Sequence, residues 1–103
     1  MNKEQLFTFL EFGSEKYTHI IGDYSNGNHG RCLAGIIMSY LGWDGKPYTF
    51  RSFEDQLEEE LAEIKFRSCT GDIVSLRIGD IAIINDCAES YQVAIAELRD
   101  MLG

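Results

Sequence analysis

From Cys32 to Leu41 the chain runs almost without a polar side chain, and Cys32, Leu33, Ile36, Ile37, Tyr40 and Leu41 recur there at helical spacing. A helix apolar on every side is stable only inside a core. A chain of 103 residues has the length of one domain and offers one core, so this helix is predicted to be the buried centre of a single globular domain over residues 1–103. Gly42 suits the position after its last turn, and Trp43-Asp44-Gly45-Lys46-Pro47 then reads as a turn.

Amphipathic segments supply the cover for such a helix. One is predicted near Asn2–Tyr17, with Asn2 as N-cap, Gln5 three residues on, and Leu6, Leu10, Gly13, Tyr17 and Ile20 on a stripe widened by Phe7, Phe9 and Phe12. Its end falls between Phe12 and Ile21, where the β-branched Thr18, Ile20 and Ile21 can instead open a strand. A second is predicted over Ser52–Arg67, capped by Ser52, with Phe53, Leu57, Leu61 and Ile64 inward and Lys65 and Arg67 in the last turn. A third runs over Ser90–Leu102 and carries Tyr91, Ala94, Ile95, Leu98, Met101 and Leu102 inward. Gly22–Gly30 reads as a loop or tight hairpin around Asn26-Gly27, and Ile73–Ile84 reads equally as strands or a short buried helix. The predicted class is α+β, mostly α: about four helices around a buried central one, with a small β-hairpin or short strands. Leu33, Ile36, Ile37, Leu57, Leu61, Ile95 and Leu98 form the predicted core.

Charge narrows the function classes. Nine Lys and Arg against seventeen Asp and Glu give a net charge of -8, which excludes a passive footprint for phosphate backbones and with it direct nucleic-acid binding. No apolar run approaches the roughly 20 residues that span a bilayer, and Met-Asn-Lys-Glu-Gln lacks the apolar stretch of a signal peptide. A cytoplasmic location without membrane partners is expected. Cys32, Cys69 and Cys87, an odd set in a chain with a sufficient core, are expected to be reduced thiols. Neither Gly-x-x-x-x-Gly-Lys nor Gly-x-Gly-x-x-Gly occurs, and no cofactor is expected.

Four groupings bear on chemistry. His29-Gly30-Arg31-Cys32 places a thiol near a helix start with a cation and an imidazole beside it, so Cys32 as nucleophile, His29 as base and Asp86 as orienting carboxylate make one candidate catalytic set. The plainer reading makes Cys32 a small core residue and His29 a loop residue. His19, His29, Cys32, Cys69 and Cys87 are metal-ligand types, but they lack the local pairing of zinc sites, and no metal is expected. Asn85-Asp86 sits between an apolar run and the last helix, where Asp86 with Glu89 can form a capping box or Asn85 can tie the turn to main-chain groups. The acidic stretch Glu54, Asp55, Glu58, Glu59, Glu60 and Glu63 reads as a solvated face or as a surface for a basic partner, contacted through Glu54, Asp55, Glu58, Glu59 and Glu63. Trp43, Tyr48 and Phe50 around Pro47 read as packing residues or as an apolar contact patch.

The order of two short motifs resembles a group of short bacterial and phage proteins of unknown function. These carry a Cys-x-x-Gly helix start, here Arg31-Cys32-Leu33-Ala34-Gly35, and an aliphatic-Asn-Asp step before the final helix, here Ile84-Asn85-Asp86 ahead of Ser90-Tyr91-x-x-Ala94-Ile95-x-x-Leu98. The resemblance covers most of the chain, the acidic third helix lying outside it. It implies a mostly helical fold with a small hairpin and a phage or prophage origin, hence a host cytoplasm, and no activity. Together these readings favour a small acidic interaction protein that inhibits or modulates a host nucleic-acid-binding protein. The rivals are a cysteine-dependent enzyme using Cys32, His29 and Asp86, and a structural or regulatory homo-oligomer closing over apolar surface.

Overall fold

The computed structural model describes residues 1–103 and contains the helices α1 (Lys3–Lys16), α2 (Leu33–Tyr40), α3 (Arg51–Leu61), α4 (Ile78–Cys87) and α5 (Tyr91–Leu102). Four short strands join them: β1 (Thr18–His19), β2 (Gly30–Arg31), β3 (Lys65–Arg67) and β4 (Ile73–Ser75). The class is α+β and mostly α, with α2 at the centre, packed against α1, α3 and α4. Leu33, Ala34, Ile36, Ile37 and Met38 of α2 are fully buried, as are Leu57 and Leu61 of α3 and Leu98 of α5, with Ile95 nearly so.

The first helix is laid down as its sequence demands. The Asn2 side chain accepts from the Gln5 main-chain N–H at 2.8 Å while Gln5 Oε1 accepts from the Asn2 N–H at 2.9 Å, so two of the free donors at this helix end are satisfied. Leu6, Phe7, Leu10 and Gly13 face the core; Phe12 points away and is 61% exposed, so it does not widen that face. Phe9 is half-buried and stacks on Tyr40 at 5.2 Å between ring centroids. Beyond α2, Gly42 takes φ +114, outside the range that other residues adopt readily, and the chain turns there.

The third helix departs from expectation at both ends. Ser52 is not its cap: a 3-10 turn over Pro47–Thr49 feeds directly into α3, and the Glu54 N–H already bonds the Phe50 carbonyl at 2.8 Å. It stops at Leu61 and not at Arg67, because Lys65–Arg67 pair antiparallel with Ile73–Ser75 as β3 and β4, the small hairpin of the fold. Ile64 stays buried, but from the connection, with its carbonyl accepting from Leu76 N–H at 2.9 Å. The stretch Ile73–Ile84 is neither strands nor helix alone; it begins as β4 and continues into α4. The Asn26-Gly27 segment closes no regular hairpin. Thr18 and His19 pair in parallel with Gly30 and Arg31, and the loop between folds back through one antiparallel bridge from Ser25 to Arg31.

Candidate functional site

The two short motifs of the sequence meet in space. Cys32 caps α2, its Sγ accepting from the Gly35 N–H at 3.3 Å. The next free donor of that helix, the Leu33 N–H, is taken by Asn85 Oδ1 at 3.1 Å, although Asn85 lies in α4. Asn85 is fully buried and its amide nitrogen donates to the Ile20 carbonyl at 2.9 Å and to Asp86 Oδ1 at 3.0 Å. Asp86 Oδ1 also accepts from the Gly22 N–H at 3.1 Å. Asn85 thus ties the start of α2 and the exit of β1 to the end of α4, and Asp86 beside it ties the following loop. Gly35 completes the fit, since a Cβ there would stand 1.9 Å from the Tyr24 carbonyl oxygen. The Cys-x-x-Gly pattern therefore has a physical account: the thiol caps the helix, and the missing side chain lets the loop lie on it.

Two further polar residues brace this region. Arg31 is buried, and its Nη1 donates to Ser25 Oγ at 2.9 Å, the Asn28 carbonyl at 2.6 Å and the Gly30 carbonyl at 2.8 Å, while Nε donates to Ser39 Oγ at 2.9 Å. Its guanidinium lies 4.7 Å from the Tyr17 ring centroid and 5.6 Å from that of Trp43. No carboxylate pairs with it. The Tyr91 hydroxyl donates to the Arg31 carbonyl at 2.6 Å, and the His19 ring meets Tyr91 edge-on while its Nε2 lies 3.2 Å from the Asn85 carbonyl, a contact that needs the proton on Nε2. Burial holds the Tyr91 phenol protonated far into the alkaline range.

A cleft of about 330 Å3 opens beside this network. Its sides are the loop Gly22, Asp23, Tyr24 and Ser25, the aromatic stretch of Trp43, Pro47 and Phe50, and Ala82 with Asp86 from α4, and Cys32 also lines it. Of the aromatic residues around Pro47, Trp43 is buried and packs, its indole N–H donating to Thr49 Oγ1 at 3.0 Å; Phe50 is half-buried and Tyr48 is 79% exposed. Tyr24 and Phe50 rings pack at 5.6 Å, and the Tyr24 hydroxyl donates to the Glu54 carboxylate. Burial and that bond hold the Tyr24 phenol protonated.

Of the candidate catalytic set, Cys32 and Asp86 share this cleft and His29 does not. His29 is exposed in the loop, where its carbonyl accepts from the Thr18 N–H at 3.0 Å, and its ring makes no hydrogen bond. Burial pushes the Cys32 thiol up to about 11, against the smaller lowering effect of the Gly35 and Ala34 N–H groups, and the Asp86 charge adds to the rise. A thiol so placed is a weak nucleophile near neutral pH. Iodoacetamide is therefore expected to modify the exposed Cys69 and Cys87 in the native protein and Cys32 only after unfolding or towards pH 11, read by mass spectrometry. Fast modification of native Cys32 would overturn this. Asp86 does not cap the last helix with Glu89; Ser90 does, through the Val93 N–H. His19, His29, Cys32, Cys69 and Cys87 are not gathered, and no three ligand-type side chains stand close enough to hold an ion.

The acidic face of α3 is partly committed to the fold. Glu54 takes the Tyr24 hydroxyl, Glu58 Oε1 accepts from the Ile78 N–H at 2.7 Å and so caps α4, and Glu63 with Glu60 receives the Met1 amino group at 2.6 and 2.7 Å. These carboxylates do not simply face outward. Asp55 and Glu59 alone of the five contact candidates are exposed without a protein partner. No helix is long and apolar enough to cross a membrane. Comparison with known proteins finds no matching family model, no matching curated protein and no matching solved structure.

Proposed function

We propose that this chain is a small acidic interaction protein that engages a basic, nucleic-acid-binding protein partner, its carboxylates taking places that phosphates otherwise occupy. The observation that carries the reading is electrostatic: of seventeen acidic residues, only Glu11, Glu60 and Glu63 sit in ion pairs, which leaves a strong uncompensated negative field around a small body. Such a field steers association with a surface of opposite sign. The phage or prophage origin and the inhibitory role belong to the same proposal, as does a cytoplasmic setting. The enzyme reading is the weaker one, because the imidazole it needs is outside the cleft and the thiol is held protonated.

The structure also selects the variant for the test. Reversing Glu58 or Glu63 removes a cap or an ion pair, whereas Asp55 and Glu59 stand i, i+4 on the exposed side of α3 and repel each other. The double variant Asp55→Lys, Glu59→Lys is expected to keep the fold and to lose binding to the heparin-retained proteins of a bacterial lysate, with wild-type capture falling between about 0.1 M and about 0.5 M salt as screening tightens. Equal recovery by both proteins at both salt concentrations sinks the reading.

A further inference from the structure

We infer that the cleft between the Gly22–Ser25 loop, Trp43–Phe50 and the end of α4 receives a basic side chain, arginine or lysine, of a protein partner; this rests on the reading of the chain as an acidic interaction protein and names the contact that it makes. The chemistry of the walls carries it. The half-buried Tyr24 and Phe50 supply aromatic surface with the buried Trp43 behind them, Asp23 and Asp86 supply negative charge, and no Lys or Arg lines the space. Aromatic faces and carboxylates together favour an organic cation over an anion or a purely apolar group. A volume of about 330 Å3 is at the small end of ligand pockets, which suits a single side chain.

Asp86 is held for this task. Both donors from the protein, Gly22 N–H and the Asn85 amide, fall on Oδ1, so Oδ2 keeps its lone pairs for an incoming donor. Asn85 is a positioning residue here: fully buried itself, it fixes the carboxylate it touches. Arg31 donates from Nη1 and Nε to Ser25, Asn28, Gly30 and Ser39 and lies against the Trp43 ring, and it is not among the residues that line the cleft.

Trp43 is the only tryptophan and lines the cleft, so its fluorescence reports occupancy. The full chain is titrated with acetyl-Gly-Arg-Gly-amide, acetyl-Gly-Lys-Gly-amide, the neutral acetyl-Gly-Gln-Gly-amide and free argininamide, with amide shifts recorded by NMR in parallel. The basic peptides are expected to give saturable changes at millimolar order, the range for a single side chain, with shifts at Gly22, Ser25, Cys32 and Phe50. Peptide binding stronger than that of argininamide assigns the site to a side chain within a protein; the reverse order overturns the partner assignment. Asp86→Asn keeps the Oδ1 acceptor for Gly22 and removes only the charge, and it is expected to weaken binding roughly tenfold, as for a lost charged hydrogen-bond partner. Asp23→Asn serves as the second variant on the exposed side of the loop. An equal response to the glutamine peptide, unchanged binding in both variants, or shifts confined to α3 around Asp55 and Glu59 each overturn the inference. The Asp55/Glu59 double variant reads the outer surface alone, so failure there and failure in the cleft are separate results.

Discussion

Ile37→Asp is expected to leave no cooperatively folding protein. Ile37 is fully buried in α2, and α2 touches α1, α3, α4 and β2, so no neighbouring element can swing aside to admit water. An isolated carboxylate in that position costs several kcal/mol, against a total stability of roughly 5–15 kcal/mol for a domain of ordinary size. The protein escapes part of the cost by protonating the aspartate, which limits the loss at low pH but not near neutrality. Circular dichroism should show a flat thermal profile and reduced helix content at neutral pH. A sharp melting transition near the wild-type temperature would show that α2 is not the centre of this core.

The second large effect is expected at Asn85. Truncation to Ala leaves the buried Leu33 N–H and the part-buried Ile20 carbonyl without their partner and opens a gap between α4 and the start of α2. Each unsatisfied buried group costs about 1–3 kcal/mol, so the pair sums to roughly 2–6 kcal/mol. For a domain of this length that corresponds to a fall in Tm of roughly 10–30 °C. Asp86→Ala removes two bonds, from the exposed Gly22 N–H and from the Asn85 amide, but leaves the Leu33 N–H and the Ile20 carbonyl paired, so it should cost less, and the ratio between the two variants tests whether the neighbouring residues have different duties. Comparable losses would mean that the buried network is not where the stability lies.

The apolar spacing made the helical core legible in advance. Leu33, Ile36 and Ile37 are buried because nothing on α2 is polar enough to stay outside, and Leu57, Leu61 and Leu98 follow from ordinary amphipathic periodicity. What was not legible came from contacts distant in sequence. Ser52 has the chemistry of a cap, yet the turn beginning at Pro47 enters the helix earlier and leaves that chemistry unused. The end of α3 was hidden because Ile64 keeps the helical stripe going while Lys65–Arg67 are recruited by a strand beyond Gly71. Exposure of Ile73 and Val74 on β4 gives no inward alternation to read, so the strand and the following helix merged into a single apolar run. At the candidate site, Cys32 and Asn85-Asp86 stood out individually. Their meeting did not, since the bonds from Asn85 to Leu33 and to Ile20 join residues 52 and 65 positions apart. In the sequence Arg31 is a cation beside a thiol; in the fold it gathers the carbonyls of the glycine-rich loop before it.

The position of α2 also sets the order in which the protein becomes safe during synthesis. Its most apolar helix leaves the ribosome with only α1 available to cover it, while α3, α4 and the Asn85 side chain that closes its first turn are still to be made. Until then a growing chain exposes Leu33, Ile36, Ile37 and Met38 to whatever apolar surface it meets, the condition under which nascent chains aggregate or engage chaperones. Chains truncated before Ile78 should therefore aggregate or bind chaperones, and chains that contain α4 and α5 should do so less.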